Sequence, residues 1–141
     1  MQKPFLLAAL LYSFLSANAA GSSAPHPIVG LWTWKTPEKA CTEIWHYHPN
    51  HVHIASSGEE ITESHYEIAA KPNLLDFYQL TETVTETNGK RDCAGELHEA
   101  LKQPATRFIQ FNSTKDEFLI CKAESLESCF GPFKRIPTPA Q

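Results

Sequence analysis

The sequence predicts a small all-β domain: an antiparallel up-and-down β-barrel of about eight strands with one short helix, a two-sheet β-sandwich being the alternative. Three observations predict it. Short β-branched and aromatic runs recur along the chain, separated by Pro, Gly and Asn turn residues. Ten prolines and six glycines spread through 141 residues favour many short elements over long helices. Thr81, Thr83, Thr85 and Thr87 alternate with Tyr78, Leu80, Glu82 and Val84, a strand period that suits β-branched side chains. An open sheet of this many strands would leave edges unpaired, and closure removes them.

The elements follow in order. Ile28 to Lys35 (IVGLWTWK) reads as a first strand ended by Thr36-Pro37. Thr42 to His48 alternates, with Trp45 and Tyr47 on one face and His46 and His48 on the other. Pro49-Asn50 turns, His51 to Ser56 returns, and Ser57-Gly58-Glu59 turns again. Ile61 to Ala69 is a fourth strand, and the Thr ladder from Leu74 to Thr87 a fifth. Leu97 and Leu101 lie one helical turn apart in residues 95–103, which Pro104 ends, so a short helix is expected there. Thr106 to Phe111, Glu117 to Lys122 and Phe130 to Ile136 complete the strands.

Residues 1–19 have the pattern of a secretory signal peptide. Lys3 precedes an apolar run from Pro4 to Leu15, and Ala17-Asn18-Ala19 offers small residues at a cleavage site. The run is short for a membrane span, so no span is expected after cleavage. Residues 20–27 read as a flexible leader, 28–136 as the barrel domain and 137–141 as a tail. The expected location is secreted or periplasmic. An even set of cysteines in an exported chain implies two disulfides among Cys41, Cys93, Cys121 and Cys129. Of three pairings, Cys41–Cys93 with Cys121–Cys129 is favoured, since the second closes a short local loop. No C-x-x-C pair supports zinc binding instead.

With 42% hydrophobic and 20% charged residues, the composition is an ordinary globular mix that argues against disorder, collagen and coiled coil. The net charge of −4 and the absence of any Lys/Arg run argue against nucleic-acid binding. No phosphate loop, dinucleotide fingerprint, Gly-x-Ser-x-Gly elbow or His-Glu-x-x-His motif is present, so neither an enzyme nor a cofactor is expected.

Gly30-Leu31-Trp32, at the start of the first strand, resembles the Gly-x-Trp signature of the lipocalin and calycin barrels. The order of elements is similar too. The resemblance implies a cup-shaped binding fold in which Trp32 packs across the closed end and a basic residue of the last strand covers it. Arg135 is the candidate, Lys134 the next. A guanidinium can stack on indole while donating to strand carbonyls.

Two constellations carry chemistry. His46, His48, His51 and His53 flank one turn. If the loop is Pro49-Asn50 alone, all four imidazoles share a face and could chelate a divalent metal. If the loop is Pro49-Asn50-His51 with His51 left-handed, His53 moves to the opposite face. Glu82 sits between apolar neighbours on its strand face. It is either a buried carboxylate partnered by Arg107 or a solvated group near the barrel mouth.

The leading expectation is an exported binding protein for a small apolar or amphipathic ligand. Trp45, Tyr47, Tyr78 and Phe111 would line its interior, and Glu82 or Arg107 would orient a polar group. One alternative is an envelope module that binds a protein partner, such as an inhibitor of an exported hydrolase, through loops 56–60 or 88–104. The other is a metal-binding protein using the histidine hairpin.

Overall fold

A computed structural model describes residues 23–37, 40–100 and 103–138. The expected signal peptide, the start of the leader and the last three residues of the tail lie outside that range. Eight strands run in order: β1 (Gly30–Lys35), β2 (Thr42–Tyr47), β3 (Val52–Ser57), β4 (Glu60–Ile68), β5 (Tyr78–Thr87), β6 (Ala105–Phe111), β7 (Glu117–Cys121) and β8 (Cys129–Arg135). Each pairs antiparallel with the next and β8 pairs with β1, so the sheet closes into an up-and-down barrel. This is the expected architecture; the sandwich is not formed. Both favoured disulfides, Cys41–Cys93 and Cys121–Cys129, are present.

The closed end is packed by aromatic side chains from strands far apart in sequence. Trp32 is fully buried and meets Phe118 edge-on, with ring centroids 4.7 Å apart. Phe118 stacks on Phe133 at 5.0 Å, and Tyr78 meets Phe111 at 5.6 Å. Arg135 lies directly across from Trp32 in the ladder, so both side chains point inward. Its guanidinium sits 4.1 Å from the centre of the Trp32 ring. It donates to the carbonyls of Val29 (2.9 Å), Lys115 (3.3 Å) and Pro27. Gly30 makes room for it. With φ at 134°, Gly30 adopts a backbone that side-chain-bearing residues rarely take, and a Cβ there would lie 2.6 Å from Arg135 Nη1. The indole N–H is satisfied by the carbonyl of Ile28 at 2.7 Å.

Two local expectations are corrected, and one left open is decided. No helix forms over the described residues 95–100. Asp92 instead organises a tight turn: its carboxylate accepts from Glu96 N at 2.7 Å, its carbonyl from Gly95 N at 2.9 Å, and Arg91 bridges to Leu97. With Cys93 tied to Cys41, this turn chemistry overrides the leucine spacing. The helical turn that does form is a 3-10 turn at Leu126–Ser128, N-capped by Ser125. Strand β5 begins at Tyr78 rather than Leu74, because Asn73 Oδ1 accepts from Leu75 N and Phe77 N and turns the chain there. The β2–β3 loop takes the three-residue form: His51 has φ 66°, and Tyr47 pairs with His53.

Two stability predictions follow from this packing. Gly30→Ala forces a disfavoured backbone and displaces Arg135, and should cost about 2–3 kcal/mol in chemical denaturation. Loop-closure entropy ranks the disulfides: opening Cys41–Cys93, with 52 residues of separation, should cost about 4 kcal/mol, and opening Cys121–Cys129, with 8, about 2.5. Paired Cys→Ala variants compared by urea unfolding would check the order.

Candidate binding site in the barrel mouth

Above the aromatic floor the inward positions change character. Strands β3, β4 and β6 present Ala55, Ser57, Thr62, Ser64 and Ala105, small side chains that leave space. A cavity of about 600 Å³ results, open at the end that carries the β1–β2, β3–β4, β5–β6 and β7–β8 connections. Trp45, Val84, Ile120 and Phe130 give it apolar walls, and Leu97, His98 and Glu99 of the long β5–β6 loop reach its edge. The Cys41–Cys93 bond ties that loop to the β1–β2 loop.

Within the cavity, His53 Nδ1 and Glu82 Oε1 are 2.7 Å apart. The His53 side chain is 5% exposed and that of Glu82 17%. Tyr47 lies parallel to the imidazole with centroids 3.9 Å apart, and Trp45 packs against it at 5.1 Å. Burial holds the Tyr47 phenol well above its ordinary value, and the neighbouring Glu82 charge adds to this. The second imidazole nitrogen, His53 Nε2, is buried without a hydrogen-bond partner.

Nearer the rim, Glu43 accepts from Ser57 Oγ at 3.0 Å and from Trp45 Nε1 at 2.9 Å. Ser57 Oγ in turn accepts from Cys93 N at 3.1 Å, so the disulfide loop and the carboxylate share one chain of bonds. Burial pushes the Glu43 carboxyl above the usual carboxylate range. The Ser57 and Trp45 bonds oppose this, and the charges of Asp92 and Glu60 reinforce it. Glu60, 6% exposed, contacts His98 Nδ1 at 3.1 Å, and Asp92 Oδ2 lies 3.8 Å from the same nitrogen. Ligand atoms of Glu60, Asp92 and His98 lie within 4.8 Å of one another, the one set among the described residues with metal-ligand spacing.

The sequence-selected residues separate clearly. Trp45, Glu82 and Arg107 line the cavity. Tyr47 is fully buried beside His53 and does not line it. Tyr78 and Phe111 pack at the closed end against each other and His26. Both are buried on the inward face, but neither lines the cavity. Glu82 is paired with His53 rather than with Arg107, whose Nη1 donates to the carbonyl of Thr106 at 2.9 Å. The four histidines are not one cluster. His46 and His48 lie on the outer face with ring centroids 3.6 Å apart, and His51 contacts the carbonyl of Tyr66 at 3.0 Å, while His53 is inside. Glu43, Glu60, Asp92 and His98 were missed as a group. Glu43 lies two residues before Trp45, and Glu60 two before Thr62, so strand alternation puts both on the inward face, a signal that could have placed them; Asp92 and His98 reach the site from the β5–β6 loop.

The raised carboxyl of Glu43 has a sign. Its folded value exceeds its unfolded one, so its charge costs stability above that range, and the cost is relieved as pH falls through the folded value. Carboxyl NMR titration should find the Glu43 midpoint above the usual carboxylate range. Asp92→Asn should move it downward; an unchanged midpoint would show that Asp92 does not act on it.

No family model, curated protein or solved structure matches this chain.

Proposed function

We propose that this chain is an exported, lipocalin-like binding protein that holds a small amphipathic ligand in its barrel mouth. The observation that carries this reading is the cavity of about 600 Å³, in which Trp45, Val84, Ile120 and Phe130 face a larger set of polar and charged side chains. That volume is in the range of small-molecule sites, and the mixed lining suits a ligand with both an apolar and a polar part. The closed eight-stranded barrel is compatible with a calycin-like fold, and the guanidinium-covered Trp32 supports the Gly-x-Trp resemblance. Two disulfides fit an oxidising compartment, and no helix among the described residues is long and apolar enough to cross a membrane. The His46–His48 pair carries no further metal-spaced ligand among the described residues, which favours the cavity over the histidine hairpin as the site.

The neutral fluorophore N-phenyl-1-naphthylamine tests the reading. Its emission should rise on adding the oxidised protein, with a dissociation constant of about 1–10 µM, as suits a modest apolar ligand. Ala55→Trp fills the cavity from β3 and should weaken binding at least about tenfold while far-UV circular dichroism stays unchanged. No emission change with the wild-type protein, or equal binding by the plugged variant, would refute a ligand site in the barrel mouth.

A further inference from the structure

The cavity walls carry far more negative than positive charge. Glu43, Glu60, Glu82, Asp92 and Glu99 line it, and Arg107 is the sole Lys or Arg among the lining residues. These carboxylates are oriented, but not by permanent cations. Glu43 is held by a hydroxyl and an indole N–H, Asp92 by a backbone N–H, and Glu60 and Glu82 by imidazoles. Among the described residues the one ion pair between Lys or Arg and a carboxylate is Lys134–Glu117, which is not part of the cavity lining. Carboxylates gathered in a partly desolvated cup repel one another, and a cation entering the cup relieves that repulsion.

A second observation points the same way and does not depend on the charge count. His53 is 4% exposed and lines the cavity, yet its Nε2 has no partner. In the neutral ring, Nδ1–H donates to Glu82, so Nε2 presents a lone pair and calls for a donor. Buried polar atoms of this kind are ordinarily satisfied, and an orphan at a cavity wall marks where a ligand's donor belongs. Glu82 lies across from Tyr66 on β4, whereas Val84 lies across from Ser64, so the dyad sits at the inner end of the cavity lining. Trp45 and Phe130 flank the space above it, and aromatic faces attract cations as well as apolar bodies.

We infer that the ligand is an organic ammonium compound: its N–H donors meet His53 Nε2 and the Glu82 carboxylate, and its apolar body lies against Trp45 and Phe130. Glu43, Glu60 and Asp92 favour its entry at the rim. This inference rests on the binding reading above and names the ligand class of the same site. A cavity of about 600 Å³ suits a body with one or two rings and an alkylammonium arm, and is far larger than a bare metal ion requires.

Three probes of one shape test it: 1-naphthylmethylamine (protonated), 1-naphthalenemethanol (uncharged) and 1-naphthoate (anionic), each titrated calorimetrically into the oxidised protein at pH 7.5. The ammonium should bind at least tenfold more tightly than the naphthoate, with the alcohol between them. Glu82→Gln should shrink the ratio of ammonium to alcohol affinity at least threefold. Asp92→Asn, a rim change that leaves the dyad in place, should shrink it less. If the three probes bind alike, or the naphthoate binds best, the ammonium inference is wrong while the binding reading stands. If none of the three binds, both fall together. A charge preference that survives in Glu82→Gln and disappears in Asp92→Asn would move the ammonium to the rim and overturn its placement at His53.

Discussion

The barrel depends on how β1 is held to β8. That seam has two paired positions, Trp32 with Arg135 and Thr33 with Lys134, whereas the β1–β2 seam has six. A closed sheet whose last seam is this short needs reinforcement from side chains. Arg135 supplies it by donating to three carbonyls and covering the Trp32 ring. A hydrogen bond from a charged donor contributes about 1.5–3 kcal/mol, so one guanidinium replaces several missing ladder bonds. Burial of the indole adds roughly 5 kcal/mol at ~25 cal/mol per Å² over ~200 Å². Both contributions require Gly30, since a Cβ there would occupy the space of the guanidinium.

This closure decides where a cavity can be. Trp32, Phe111, Phe118 and Phe133 belong to one buried cluster that fills the closed end. Strand length then carries each inward row past the aromatics to Ala55, Ser57, Thr62, Ser64 and Ala105, which cannot fill the same cross-section. The residues that enter the remaining space are acidic, and an acid in a partly buried cup costs stability. Neutral donors offset part of that cost, as the paired bonds to Glu43 illustrate, yet burial still pushes its carboxyl up. The mouth therefore departs from good packing and charge balance in one region while the floor satisfies both, a pattern associated with sites rather than scaffolds.

The strands were legible because half-buried strands impose a period of two, and β2, β5 and β6 keep it. The closure was legible because Gly30, Trp32 and a basic residue on the last strand have a joint physical purpose. Three things were not. Periodicity assigns a face but no height, so it gives Tyr78 and Phe111 an inward face without showing that they belong to the closed end. The spacing of Leu97 and Leu101 fits a helix, but Asp92 and the Cys41–Cys93 bond hold the described part of that segment as a turn. Partners from non-neighbouring strands were also hidden: β3 and β5 are separated by β4, and only the curvature of the barrel brings His53 to Glu82.

The β2–β3 loop shows how fold and site depend on the same residue. A two-residue loop would have set His53 outward beside His46 and left Glu82 unpaired inside. His51 at φ 66° adds one residue to the loop, and a one-residue shift reverses every face of the returning strand. His53 then enters the barrel and Ile54 is left 37% exposed on the outside. Exposing an isoleucine to bury an imidazole is unfavourable on transfer grounds alone. The Glu82 bond and the Tyr47 stack offset part of that cost, but they leave Nε2 unsatisfied. The register therefore places a polar acceptor where packing alone would prefer an apolar group, at the inner end of the barrel-mouth cavity. A donor-bearing ligand gives that arrangement a physical purpose, and the surrounding carboxylates favour a ligand whose donor is charged.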